Sequence, residues 1–383
     1  MRTYSRRWFL SRTLGGAWLG ASLMERALLL AADARAQSRQ ALPDLFDIQK
    51  VADGVYGAIA RGRAIINSNS VIFENTSDLL IVDAQSAPSA VHALVAQIRR
   101  DITTKPVRYV VATHLHGDHT QGLLGHRQLS PDVSIVSSAF TLDRLSATGA
   151  SRLKAATDAA SRSLANDQDQ LSTAKTDDAR AYWREMIAQT RAFIDETQNL
   201  PVEVPNVTVD DHLVIHDRAH ELRVFYGGRG HTSGDLFVFC PEKKVIATGD
   251  MLHSFFPFIG DGYPSEWPVT LRKVGALPFD TVVGGHGGVQ KTPALRLENW
   301  CGYLEELSEI VARARQQGTP LEQLLTTVTP ASLKSLARDG YGEFLGTQTK
   351  QHDFRVYLNT PAEVVARYVR ENLTAVFRNL GRA

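Results

Sequence analysis

Three histidines and an aspartate fall within six residues of one loop. They are His114, His116, Asp118 and His119 of "THLHGDHTQG", directly behind the apolar run "VRYVVA". Imidazole and carboxylate without thiolate form a donor set suited to zinc, with iron or manganese as lesser alternatives. If a strand ends at Ala112, His114 and His116 stand two apart at its exit and point to one side. A turn at Gly117 then carries Asp118 and His119 to another side. One short loop could offer two nitrogens to one metal, and an oxygen plus a nitrogen to a second.

Four residues do not complete two sites, and further donors follow later in the chain. His231 stands in "RGHTSGD" after "LRVFYG", Asp250 in "ATGDML" after "KVIAT", and His286 in "VGGHGG" after "TVVG". Each falls where an apolar run ends, beside glycine that lets backbone approach closely. The expected division gives His114, His116 and His231 to a first ion and Asp118, His119 and His286 to a second, with Asp250 bridging. A structural zinc site is normally closed by four ligands. Seven donors around two ions leave room for a water or hydroxide between them, which is a catalytic arrangement. His253, close behind Asp250, is expected in a supporting role. His212, His216 and His220 read as surface residues. The two cysteines, Cys240 and Cys301, are too few for a structural thiolate site. Cys240 closes the run "LFVFC" and is expected to be buried and free.

Positioning these groups requires strands that deliver them to one rim. From about residue 46 to 140 the chain is strand-rich, with "VYGAIA", "SVIFE" and "LLIVDA" separated by turn residues. Residues 88–100 place Val91, Leu94, Val95 and Ile98 on one helical face. "VRYVVA" and "VSIVSS" are further strands, so the order predicts layered α/β packing. Residues 141–200 read as two long helices, either an insertion that caps a site or a solvated hairpin. Strands resume at "VTV", "LRVFYG", "LFVFC", "KVIATG" and "TVVGG". Residues 292–383 read as helical. The last helix carries a capping box of Thr360 with Glu363, and Pro361 at its first position.

The composition, 43% hydrophobic and 22% charged over 383 residues, is that of a globular protein. A formal net charge of +1 gives no nucleic-acid footprint. No apolar stretch is long enough, free of charge, for a membrane span. The first residues predict export. "SRRWFLS" sets Arg6 and Arg7 in a twin-arginine context, an apolar stretch follows, and "ARA" at 34–36 offers a cleavage site. Residues 1–36 are therefore expected to be a signal peptide and the mature protein periplasmic.

The combination of motifs resembles the metallo-β-lactamase superfamily. Its HxHxDH motif matches His114, His116, Asp118 and His119, and its later histidine, bridging acid and final histidine match His231, Asp250 and His286 in the same order. Its early strand-end aspartate, which supports the metal loop, matches Asp83 in "LLIVDA". The resemblance implies a four-layer αββα sandwich over residues 46–291, with a helical insertion at 141–200 and a helical extension at 292–383. It implies two zinc ions and hydrolysis of a small-molecule ester, thioester, lactone or amide by a metal-bridged hydroxide, with Asp118 and Asp250 as catalytic groups. Asp250 stands where the best-known zinc β-lactamases of the superfamily have cysteine or no ligand. That resembles glyoxalase II, lactonases and related hydrolases instead. Tyr226 or Tyr263 would donate to an oxyanion. Phe255 to Phe258 would line the mouth or pack in the core. The alternatives are β-lactamase activity, di-iron oxygenase or redox chemistry, and a non-enzymatic periplasmic metal-binding protein.

Overall fold

The computed structural model describes residues 44–62 and 68–381. The twin-arginine segment lies outside these residues. Seven strands form the first sheet in sequence order: β1 (Phe46–Ala52), β2 (Val55–Ala60), β3 (Ser70–Glu74), β4 (Leu79–Val82), β5 (Val107–Val111), β6 (Ser134–Ser138) and β7 (Val207–Val209). β1 to β4 pair antiparallel, whereas β4 to β7 pair parallel. The parallel half needs crossovers. They include α1 (Pro88–Asp101) and the pair α2 (Gly117–Thr120) and α3 (Leu123–Leu129).

The second sheet runs β12-β11-β10-β9-β8, from β8 (His212–His216), β9 (Glu221–Tyr226), β10 (Leu236–Cys240), β11 (Val245–Gly249) and β12 (Thr281–Gly284). β11 and β12 pair parallel, linked through α6 (Trp267–Gly275). The two sheets stack face to face. Val71 and Phe73 of β3 point between them with Leu236, Val238 and Cys240 of β10. The alternate residues point outward. Ile72 joins Val91, Leu94 and Ile98 of α1, while Phe237 and Phe239 join the helices beyond the second sheet. Both faces of the central strands are thus covered, which is why they read as unbroken apolar runs. The result is the expected four-layer αββα sandwich.

Two helical segments extend it. α4 (Ala139–Thr173) and α5 (Asp177–Thr197) form a hairpin between β6 and β7. Ser138 and Thr176 cap their starts. α4 buries only Thr141, Leu145, Gly149, Leu153 and Thr157 in its long run, one narrow stripe at four-residue spacing. After β12 come α7 (Pro293–Gln316), α8 (Leu321–Thr327), α9 (Lys334–Ala337), α10 (Tyr341–His352) and α11 (Pro361–Asn379). α11 starts at the expected capping box and buries Val365, Val369, Leu373 and Val376. Tyr182 of α5 donates to Phe354 O and stacks on Tyr357, tying the hairpin to the C-terminal segment.

Several local readings change. β1 and β8 carry partly exposed residues and were not evident as strands. His212 and His216 are exposed at the ends of β8, but His220 is buried and its Nε2 faces Asn75 Oδ1 at 3.1 Å. Cys240 and Cys301 are both free and buried, one between the sheets and one under the C-terminal helices. No helix among the described residues is long and apolar enough to cross a membrane.

Candidate metal centre

The seven predicted donors meet at one edge of the sandwich, just beyond the strand ends. His114, His116, His231 and Asp250 form one group, and Asp118, His119 and His286 form a second. The backbone at these exits is tight. Gly249, with φ +48°, ends β11 in a conformation that favours glycine. A Cβ at Gly285 would lie 2.2 Å from Asp250 Oδ1, so the "VGGHGG" loop can approach the acid only without a side chain there.

In the first group three ring nitrogens converge. His116 Nδ1 lies 3.1 Å from His114 Nε2 and 2.9 Å from His231 Nε2. Each ring also has an outward partner that fixes its proton. Thr113 Oγ1 donates to Asp83, so it accepts from His114 Nδ1 at 3.0 Å. His231 Nδ1 donates to Phe258 O at 3.0 Å, and His116 Nε2 to Asp261 Oδ2 at 2.9 Å. With the protons outside, three lone pairs face one another with no hydrogen between them. A cation satisfies that arrangement. Tetrahedral ligands about 2.0–2.1 Å from zinc stand about 3.3 Å apart, close to the spacing here.

The second group has the same scale. His286 Nε2 lies 3.2 Å from Asp118 Oδ2, and His119 Nε2 lies 3.4 Å from the same oxygen. Asp250 reaches both groups. Its Oδ2 is 3.6 Å from His231 Nε2 and 3.3 Å from His286 Nε2, while Oδ1 is 3.4 Å from His119 Nε2. Asp250 Oδ1 and His119 Nε2 are buried without a hydrogen-bond partner. Buried polar atoms are rarely left so. The donors therefore fit two metal ions.

Electrostatics divides the groups. Burial, with the neighbouring histidines, holds His114 well below its ordinary pKa and pushes His231 down to about 3. Their lone pairs stay available to a cation. Burial also opposes charge on His119 and His286. The acids around them override it, raising His119 through Asp83, Asp118 and Asp250, and His286 to about 9. Burial likewise opposes ionisation of Asp118 and Asp250, yet His119 and His286 keep both carboxyls well below the usual range.

Around these groups lies a supporting shell. Asp83, buried at φ +66°, accepts from Thr113 N at 2.9 Å, and its Oδ2 is 2.8 Å from His119 Nδ1. That contact aims His119 Nε2 at Asp118 and Asp250. His253 is buried and pushed down to about 3 by that burial, with its ring wedged edge-on between His286 and Trp300. Tyr263 OH meets Ser233 Oγ at 2.6 Å beside the His231 turn. Tyr226 ends β9 and packs against the layer between the sheets. The phenylalanine run divides its roles. Phe256 is core, Phe255 stacks on His286, and Phe258 is 55% exposed with its ring 5.5 Å from His116.

Two contributors carried no sequence signal that singled them out. Asn69 donates from Nδ2 to Gly284 O and Gly287 O, at 2.9 and 2.8 Å, and accepts from Ala60 N at 2.9 Å. It clamps the loop bearing His286. Asp261, one acid in the glycine-flanked "IGDGYP", orients His116. The His116 contact holds its carboxyl well below the usual range against burial, and Arg152 of α4 lies 3.4 Å away.

Two stacked sheets under helices, with a histidine–aspartate cluster at their edge, define an α/β sandwich protein built to bind metal. Residues 65–145 and 146–286 match the sequence model of the Metallo-beta-lactamase superfamily. The chain belongs to that superfamily. Solved structures similar to it include a metallo-beta-lactamase from Pontibacter korlensis, at 16% identity and TM-score 0.48 over 68% of this chain and 99% of that one. The DIM-1 metallo-beta-lactamase is 17% identical, with TM-score 0.48 over 68% and 97% of the two chains. TMB-1 is 19% identical, with TM-score 0.49 over 69% and 98%.

Proposed function

We propose that the chain is a dinuclear zinc hydrolase of a small-molecule ester, thioester or lactone, working outside the cytoplasm after export by its twin-arginine segment. The observation that carries this reading is the position of Asp250, whose two oxygens reach the histidines of both groups. A carboxylate there can serve two ions at once. His114, His116 and His231 would hold one, and Asp118, His119 and His286 the other. Zinc held by these residues would supply a water acidified to near neutral pH and would polarise a carbonyl oxygen. The chain's own groups supply orientation and proton handling. Asp118, kept ionised between His119 and His286, can accept a proton from the attacking water and return it to the leaving atom. Asp83 and Asp261 hold His119 and His116 in register. The exposed ring of Phe258 offers an apolar contact at the mouth. Asp250 in place of cysteine favours esters, thioesters and lactones over β-lactams.

Elemental analysis of protein purified with zinc, followed by a panel of lactones, thioesters, phosphoesters and β-lactams, tests the reading. Two zinc ions per chain and ester or lactone turnover abolished by EDTA and by His116→Ala are expected. Turnover indifferent to both treatments, in protein without bound metal, would refute it.

A further inference from the structure

Between the α4–α5 hairpin and the HLHGDH loop lies a cavity of about 220 Å³. Leu145, Leu153, Ala156 and Phe193 line its helical side, Leu115 and Val202 face them, and Asp118 stands in its wall. Leu145, Leu153 and Phe193 are nearly fully buried, yet this space remains between them. Its rim charges have partners. Glu203 pairs with Arg127 at 2.9 Å, and Arg152 faces Asp261 at 3.4 Å. An apolar cavity of about 150 Å³ accepts benzene, so this one has room for about nine carbon atoms by proportion. Thr120 and Gln121 add uncharged polar groups beside the loop, and the rest of the wall suits a neutral, largely apolar guest.

We propose that this cavity binds the apolar leaving group of the substrate, a medium-length or aromatic alcohol or thiol. The assignment rests on the hydrolytic reading of the same site. Asp118 sets the side. Water adds to the carbonyl carbon, the bond from that carbon to the leaving oxygen or sulfur breaks, and the proton from water reaches the leaving atom by way of Asp118. The departing group is therefore the one beside Asp118, and its chain extends between α4 and the loop. The hairpin makes the pocket, so α4 residues set the preference among substrates.

Titration calorimetry with heptan-1-ol gives a readout independent of turnover. Saturable binding is expected in the wild type and in Ala159→Phe, which places a ring on the exposed face of the same helix. Binding at least tenfold weaker is expected in Ala156→Phe, which fills the cavity. In kinetics, kcat/KM for acetate esters should climb with alcohol length, while a methyl ester series of rising acyl length stays flat. Ala156→Phe should cut the climb short, and Leu145→Ala should extend it to longer alcohols. No saturable heptanol binding, or equal binding in a folded Ala156→Phe, overturns the proposal, as does a climb with acyl rather than alcohol length. Heptanol binding without hydrolysis of any ester would instead refute the hydrolytic reading, and the leaving-group assignment with it, while the apolar site stands.

Discussion

Asn69→Ala probes how the His286 loop is held. The side chain is 3% exposed, so water does not readily replace it. The substitution strips a partner from Ala60 N, Gly284 O and Gly287 O. At about 1 kcal/mol net for each hydrogen bond, the loss is about 3 kcal/mol. The backbone bond from Asn69 N to Gly285 O survives, so the strand stays in register. For a folded chain of roughly 340 residues the unfolding entropy corresponds to about 0.7 kcal/mol per degree, and Tm should fall by about 4 °C. Calorimetry on metal-free protein in EDTA measures that scaffold part alone. The positioning part is read separately, by zinc competition against a chromophoric chelator. On the dinuclear zinc reading proposed above, loosening the turn that carries His286 should weaken one of the two zinc equivalents by about tenfold or more, in the range of other orienting-residue losses. A Tm within about 1 °C of wild type refutes the hydrogen-bond accounting. A lower Tm with both zinc affinities unchanged refutes the claim that Asn69 positions His286.

Asp261→Asn keeps the volume but removes the charge that orients His116. Zinc affinity at the three-histidine position should fall about 10- to 100-fold, and an unchanged competition curve would contradict the role. His126 of α3 is buried with both ring nitrogens unpartnered, and burial followed by His92 pushes it down to about 3. Its folded pKa lies below its unfolded value near 6.5, so the unfolded chain binds the extra proton. The stability it permits is complete above about pH 6.5 and drains away as pH falls towards 3, by on the order of 3 kcal/mol at pH 4. His126→Leu should flatten that acid limb in melts of metal-free protein, and parallel limbs in the two proteins would exclude it. Cys240 and Cys301 are free in separate cores, so a reductant should leave Tm unchanged and denatured protein should titrate two thiols.

The centre was legible where its signals are local. His114 to His119 form one motif, and His231, Asp250 and His286 each follow an apolar strand with glycine beside them. Strand, exit and donor are then read within about ten residues. The central strands were legible for the same reason, since burial on both faces leaves unbroken apolar runs. β1 and β8 lie at sheet edges, where partial exposure mixes polar residues into the pattern. His220 was misplaced because its burial depends on Asn75, 145 positions away. Asn69 and Asp261 act across separations of 215 and 145 residues, and nothing beside them in sequence reveals their partners. The two kinds of residue divide the work of the site. The donors can be replaced only by other donors, because the cation demands lone pairs at fixed spacing. The groups that hold them answer to backbone carbonyls and ring nitrogens that exist only after the two sheets have stacked. The proposed leaving-group preference belongs to this second kind. The α4 stripe of Leu145, Leu153 and Ala156 has the spacing of an ordinary core-facing helix, and only the gap left above the Asp118 loop makes it the wall of a pocket.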